Sequence, residues 1–452
     1  MSRNISRRSF LRLAAGSAAA LLAAACQPTQ VPSPGPAVQD EVPAPVAPAP
    51  TDYTGKFVIM SASAVEHFVP MVEEIEADYP GVEVDWRNLS SERYTELFAA
   101  SEVAGDQIDI LHMNGQDLRR YATADRLTDL SDLDYLDRFR PVSTETYTLM
   151  GKLWALPLGD IAPWTLFFNK KAFEAIGVTE EISTYTELQE MAPALRDAGY
   201  EIMAHEGQVL YMWPVWHFIM HAQASGNQSI ENTVATLRGE TKFTEDSYIE
   251  ALRLLERYSR DGMFMEGVLA TDRDGAQRAL EMGQTAMWHN WPGIIRGYRE
   301  AQERGELQDL ELSVMPTLQV VEGAKRELPG GVGAATGIYR NIDASRRDLA
   351  YDILDKMTSD KWVGHINRIG NAAVSSNVNV EPSDDPLAIK YAQDCAPLTI
   401  VYEDWLWPPE ITRSFQENLQ AIVAGTVTPE QAAQMNQNAL DELYAEGYEF
   451  VD

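Results

Sequence analysis

Residues 53–452 of this 452-residue chain read as an α/β protein. Three observations predict it. The opening alternates short apolar runs with segments whose apolar residues recur at helical spacing, the pattern of strand–helix units on a parallel sheet. The second half carries more helical spacing and several helix-start signals. The apolar content, 45%, is that of a globular chain, and the length fits two or three domains.

The elements follow in order. Phe57-Val58-Ile59-Met60 is a short apolar strand. Phe68, Met71, Val72, Ile75 and Tyr79 then follow helical spacing, and Pro80-Gly81 stops that helix. Val82, Val84 and Trp86 alternate as a strand. Tyr94, Leu97 and Phe98 mark a second helix. Ile108-Asp109-Ile110-Leu111 is a third strand, with a turn expected at Asn114-Gly115. Ligands of such sheets bind beyond the strand carboxyl ends, which points to Ser61–Glu66 and His112–Gln116. Further on, Thr184 and Glu187 form a capping box ahead of Leu188, Met191 and Leu195 on one face. Leu252, Leu255 and Tyr258 mark another helix. Thr428-Pro429-Glu430-Gln431 starts the last one, with Pro at the first helical position. No internal repeat is present.

The N-terminus is organised differently. Arg3, Arg7, Arg8 and Arg12 precede Leu13–Ala25, an apolar stretch sized for a signal peptide and too short to span a bilayer. Ser6–Arg12 resembles a twin-arginine export signal. Leu21-Leu22-Ala23-Ala24-Ala25-Cys26 resembles a lipobox, whose Cys is lipidated and becomes the mature N-terminus. Ala23 departs from the usual Leu, and Ala23-x-Ala25 also fits ordinary cleavage, so both routes stay open. Residues 26–52 hold eight of the chain's 24 prolines and read as an extended tether. A lipid on Cys26 would anchor the protein to a membrane at the cell surface or in the periplasm.

The charge excludes several functions. With 68 acidic and 36 basic residues the net charge is −32, which repels nucleic acid and anionic surfaces. Only Cys26 and Cys395 are present, too few for a disulfide framework or a Cys-rich metal site. No Walker lysine loop and no G-x-S-x-G elbow occur. Gly331-Val332-Gly333 with Gly337 misses the dinucleotide spacing, and Asp272-Arg273-Asp274-Gly275 places Gly too early for a calcium loop. His217 and His221 have the spacing of metal ligands on a helix, but Phe218-Ile219-Met220 between them favours a core helix. No cofactor and no metal are expected.

Five segments together resemble the extracellular solute-binding proteins of carbohydrate-uptake ABC transporters, the maltose-binding-protein-like family. Phe57–Tyr79 followed by Pro80-Gly81-Val82-Glu83-Val84 is similar to its first strand, helix and "YPG-x-x-V" turn. Gly151–Leu158 is similar to "GKLYALP", Leu166–Lys170 to "LYYNK", Gly283–Trp291 to "GKAAM…W", and Val427–Ala432 to the C-terminal "TPEEA" helix. They occur in the family's order and cover essentially residues 55–450. The resemblance implies a type II periplasmic-binding-protein fold, two α/β lobes joined by a multi-segment hinge. It puts 55–140 plus 317–380 in the first lobe and 141–316 plus 381–452 in the second, with ligand enclosed between them. It further implies a monomeric, non-enzymatic receptor that delivers a small solute to a permease. A mono- or oligosaccharide is expected. A polyol, glycerophosphodiester or peptide, a glycan-degrading enzyme, and a sensor are the alternatives.

A saccharide site needs aromatic plates for C–H faces and short polar groups for hydroxyls. Trp291 matches the family's cleft Trp, with Asn290 beside it in the Trp288–Gly293 cluster, and Pro292 suits a helix start. Trp405 or Trp407, in the Tyr402–Trp407 cluster, falls near the family's C-terminal stacking aromatic. Asp160 and Trp164 lie in the loop between "ALP" and "YYN". Met113, Asn114 and Gln116 lie in the matching loop of the first lobe, with Met113 where some relatives carry an aromatic. Ser61 and Glu66 border the first strand's loop. Gly330 and Gly331 would admit a ligand to the backbone. Against these stands core packing, the commoner fate of a Trp. Tyr211, Trp213 and Trp216 are read as a packing face. None of these candidates is basic, which disfavours a phosphate-bearing ligand.

Overall fold

The computed structural model describes residues 52–63, 65–89, 93–307, 309–370 and 374–451. The signal segment, Cys26 and the tether lie outside them.

Two sheets organise the fold. The first runs Val82–Asn88, Gly55–Ser61, Ile110–Asn114, Ala334–Ile338, Leu156–Pro157. Its first three strands are parallel and the last two join antiparallel. Phe57 to Ser61 are buried without interruption, as a central strand covered on both faces must be. Helix Val69–Asp78 lays Met71 and Ile75 on that sheet. Gly81 then turns the chain into the next strand at φ 105°, a conformation that favours glycine. Asp109 is buried and ties the layers together. Its carboxylate accepts from the Val58 amide at 2.8 Å and from Arg346 Nε at 2.7 Å. The third strand begins later than the apolar run suggests. The expected turn at Asn114-Gly115 is instead the N-terminus of helix Gly115–Thr123.

The second sheet runs Leu312–Met315, Thr165–Asn169, Thr285–Asn290, Glu201–Ala204. Its two inner strands are buried at every residue. Helices Tyr185–Asp197, Pro214–Ala224, Asp246–Arg260, Pro409–Val423 and Pro429–Ala445 build its core. The expected starts at Thr184 and Thr428 are both full capping boxes. Trp213 and Trp216 are core, as expected, but Tyr211 is 48% exposed.

Among the described residues, the segments 158–164, 316–333 and 374–385 lie between the elements of one sheet and those of the other. Asp160 bridges to Ser375, Ile161 bridges to Val332, and Leu328–Gly330 pairs with Thr399–Val401. These crossings form the multi-segment hinge of a two-lobed fold. The boundary expected at residue 141 is displaced. Tyr147, Leu149, Leu153, Trp154, Leu156 and Ile161 all pack in the first sheet's core. The physical reason is Leu156–Pro157, which hydrogen-bonds to Ala334–Ile338 as that sheet's edge.

Candidate functional site

A cleft of about 950 Å³ opens between the two halves. Helices Tyr94–Ala104 and Gly115–Thr123 of the first half supply Thr95, Asn114 (the cap residue), Asp117 and Arg120. The opposite wall carries Tyr211, Arg273, Trp291 and the segment 402–416.

Aromatic plates dominate that wall. Trp164 and Trp291 meet edge to face with centroids 5.6 Å apart. Trp407 is only 5% exposed and stacks on Phe415 at 4.2 Å, so it offers the cleft an edge rather than a face. Trp405 lies beside Tyr402 at 5.2 Å. A Cβ added at Gly115 would come within 2.7 Å of the Trp405 ring, and one at Gly331 within 2.3 Å. Glycine at both positions therefore lets the indole lie flat between backbone of the first half and of the hinge. Gly330 has a different role, since its missing Cβ makes room for Pro163.

The expected residues thus divide. Trp164, Trp291, Trp405, Trp407 and Asn114 converge on the cleft. Met113 is fully buried in the first core. One residue along a strand reverses the side chain, so Asn114 reaches the cleft and Met113 cannot. Asn290 is likewise buried. Its Oδ1 accepts from the Trp291 amide at 2.8 Å, so it shapes the backbone under the platform. Ser61 is buried and donates to the Ser63 carbonyl. Glu66 is exposed and outside the cleft lining. The Gln116 side chain lies outside the described residues. Asp160 faces a smaller pocket of about 240 Å³ with His67, His112, Arg296 and Gly333. Helix Ile294–Glu303 starts just after Pro292, placing Trp291 in the turn before it.

The sequence reading missed the charged members. Arg273 lies over the Trp291 ring at 4.5 Å and donates to Tyr211 Oη at 3.2 Å. Arg120 and Arg413 also line the cleft. None of the expected residues is basic, yet three arginines line the cleft, so a phosphate-bearing ligand is no longer disfavoured on that ground. The signal for Arg273 lay in Asp272-Arg273-Asp274-Gly275, where Asp272 caps a helix by accepting from Gly275 N at 2.8 Å. That cap places the arginine at the cleft mouth. Two cleft carboxyls are shifted upward. Burial raises Asp117 to about 6, partly opposed by Arg120. Burial, with the Glu403 charge beside it, raises Asp404 to about 7. In the smaller pocket burial raises Asp160 to about 6. Such carboxyls can both donate and accept hydrogen bonds near neutral pH.

A two-half cleft of aromatic plates and hydrogen-bonding groups is the candidate site, and comparison with known proteins identifies the chain's family. Residues 61–364 match the bacterial extracellular solute-binding protein family. The chain belongs to that family. It is an extracellular solute-binding protein, not an enzyme. Among similar solved structures is a chitin oligosaccharide binding protein. It has 20% identity and a TM-score of 0.75 over 87% of this chain and 99% of that one. The raffinose complex of the solute-binding protein RafE has 17% identity and a TM-score of 0.70 over 86% and 100%. The GacH receptor of Streptomyces glaucescens, solved with acarbose, has 17% identity and a TM-score of 0.71 over 88% and 100%. Among the described residues of this solute-binding protein, no helix is long and apolar enough to cross a membrane.

Proposed function

We propose that this solute-binding protein captures a mono- or oligosaccharide in the cleft and delivers it to the permease of an ABC importer, tethered to the membrane by a lipid on Cys26. One observation carries the reading. Four tryptophans and Tyr402 line a cleft that also carries Asn114, Asp117, Asp404 and three arginines, a mixture suited to stacking on sugar rings and pairing with hydroxyls. The similar proteins named above, which take chitin oligosaccharide, raffinose and acarbose, support the same class. Binding would bias an open–closed equilibrium across the hinge.

A specific observation favours a second reading, in which the saccharide carries an anionic group. Arg120 and Arg273 both line the cleft, where a guanidinium can meet an anionic group of the ligand. The test for both is melting temperature of the ligand-free protein against neutral saccharides, uronic-acid saccharides, phosphodiesters and peptides. A ligand at 100 times its dissociation constant stabilises by about 2.7 kcal/mol. A saturable shift with a saccharide and no product on incubation supports the proposal. A shift confined to peptides or phosphodiesters overturns the substrate class.

A further inference from the structure

His217 and His221 are one turn apart on helix Pro214–Ala224, and both are fully buried. Their rings lie nearly parallel, centroids 5.2 Å apart. The fold brings a carboxylate to them from 182 residues further along. Glu403, also fully buried, places Oε2 2.9 Å from His221 Nδ1 and 3.9 Å from His217 Nε2. Among the described residues this is the one group of three or more metal-binding side chains brought together, its ligand atoms all within 4.8 Å of each other.

The cluster is under-satisfied. Both ring nitrogens of His217, His221 Nε2 and Glu403 Oε1 are buried without a hydrogen-bond partner among the described residues. Buried polar atoms normally have partners, and a buried carboxylate needs its charge answered. Among the described residues no Lys or Arg pairs with Glu403. Tyr248 stacks on His221 at 4.0 Å, and Phe415 packs on His217 at 4.8 Å. Thr233 Oγ1 donates to Glu403 Oε2 at 2.8 Å, the kind of outer contact that orients a ligating carboxylate.

We propose that His217, His221 and Glu403 form a structural site for a divalent metal of the zinc class. Two imidazoles and one carboxylate are a zinc-type ligand set, and a water would take the fourth position. Bonds of 2.0–2.1 Å in a tetrahedron put ligand atoms about 3.3 Å apart. The observed 2.9 and 3.9 Å bracket that spacing, and all the ligand atoms lie within 4.8 Å of one another, so side-chain rotation is what closes the site. The consequence reaches the cleft. Glu403 precedes Asp404 and Trp405, so the metal pins that wall to helix Pro214–Ala224. The site is independent of which solute the cleft takes.

The test uses the full chain made without a polyhistidine tag and stripped with EDTA. Added ZnCl2, followed by desalting, leaves one zinc per chain and raises the melting temperature by several degrees. CoCl2 gives the visible absorption of four-coordinate cobalt. His217→Ala and Glu403→Gln each weaken zinc binding by about 100-fold or more. Stripped wild-type protein that takes up no zinc, and melts alike with and without it, overturns the proposal. So does one-to-one binding that survives His217→Ala, which places the metal on surface carboxylates. The wild-type arm decides the matter if a variant fails to fold.

Discussion

Trp291 and Asp117 show how single residues divide the work of the cleft. Trp291, proposed as a stacking platform, meets Trp164 edge to face and has Arg273 over its ring. Replacing it with Ala should weaken ligand binding at least about tenfold at unchanged fold. Calorimetric titration checks this, and an unchanged constant would remove it from the site. Asp117 is a buried carboxyl whose pKa is pushed up to about 6, so the folded state prefers it protonated. The resulting stability is complete below about pH 4 and is lost as pH rises through about 6. Asp117→Asn, uncharged throughout, should therefore gain on wild type between pH 4 and 7, by on the order of 2–3 kcal/mol. Denaturant melts across that range check it, and a pH-independent difference would contradict it. The aromatic lining of the cleft was legible because Trp is rare and the family's motifs mark its positions. Asp117, Arg120 and Arg273 were not, since such residues on a helix usually face water, and only the fold turns them inward. Asn290 failed for a related reason, because its amide was needed to hold the backbone turn into Trp291.

At the scale of elements, local chemistry was read most reliably where it is complete in a few residues. The capping boxes at Thr184 and Thr428, and the Pro80-Gly81 stop, need no distant partner. Asn114-Gly115 did need one. Asn114 takes φ −84° and ψ 158°, extended geometry that opens a helix rather than a hairpin turn. That helix brings Gly115 against Trp405, a contact no local pattern announces. The pair His217 and His221 is a similar case, its carboxylate arriving from the far end of the chain. Gly331 tests the packing directly. In Gly331→Ala the new methyl meets the Trp405 ring within 2.3 Å and must displace it. Ligand affinity should fall severalfold or more while the melting temperature moves by only a few degrees. Full retention of affinity would show that the ring's position is immaterial.

Across the whole molecule, the alternation of strands and helices was enough for the fold class. The hinge crossings were placed only by family resemblance, and the first came out late because Leu156–Pro157 belongs to the first sheet. Sequence periodicity describes a strand's faces but not its neighbours, so a two-residue edge strand is invisible to it. Ala334–Ile338 has a larger effect. It lies between Ile110–Asn114 and Leu156–Pro157, so the first sheet is incomplete without it. A fragment comprising residues 53–332 should accordingly be degraded by low concentrations of protease that leave the whole chain intact. Survival of a folded first half would contradict this strand's structural role.

The same late strand governs how the protein is made. The partner of Ile110–Asn114 is synthesised more than two hundred residues after it, so the ribosome releases most of the chain before the N-terminal half can close. Such distant pairing slows folding and leaves an apolar strand edge unpaired meanwhile. Nascent chains are thus exposed to chaperones and to self-association for the greater part of translation. Export in the folded state, the route that Ser6–Arg12 resembles, would confine this vulnerable interval to the cytoplasm, where chaperones can guard it.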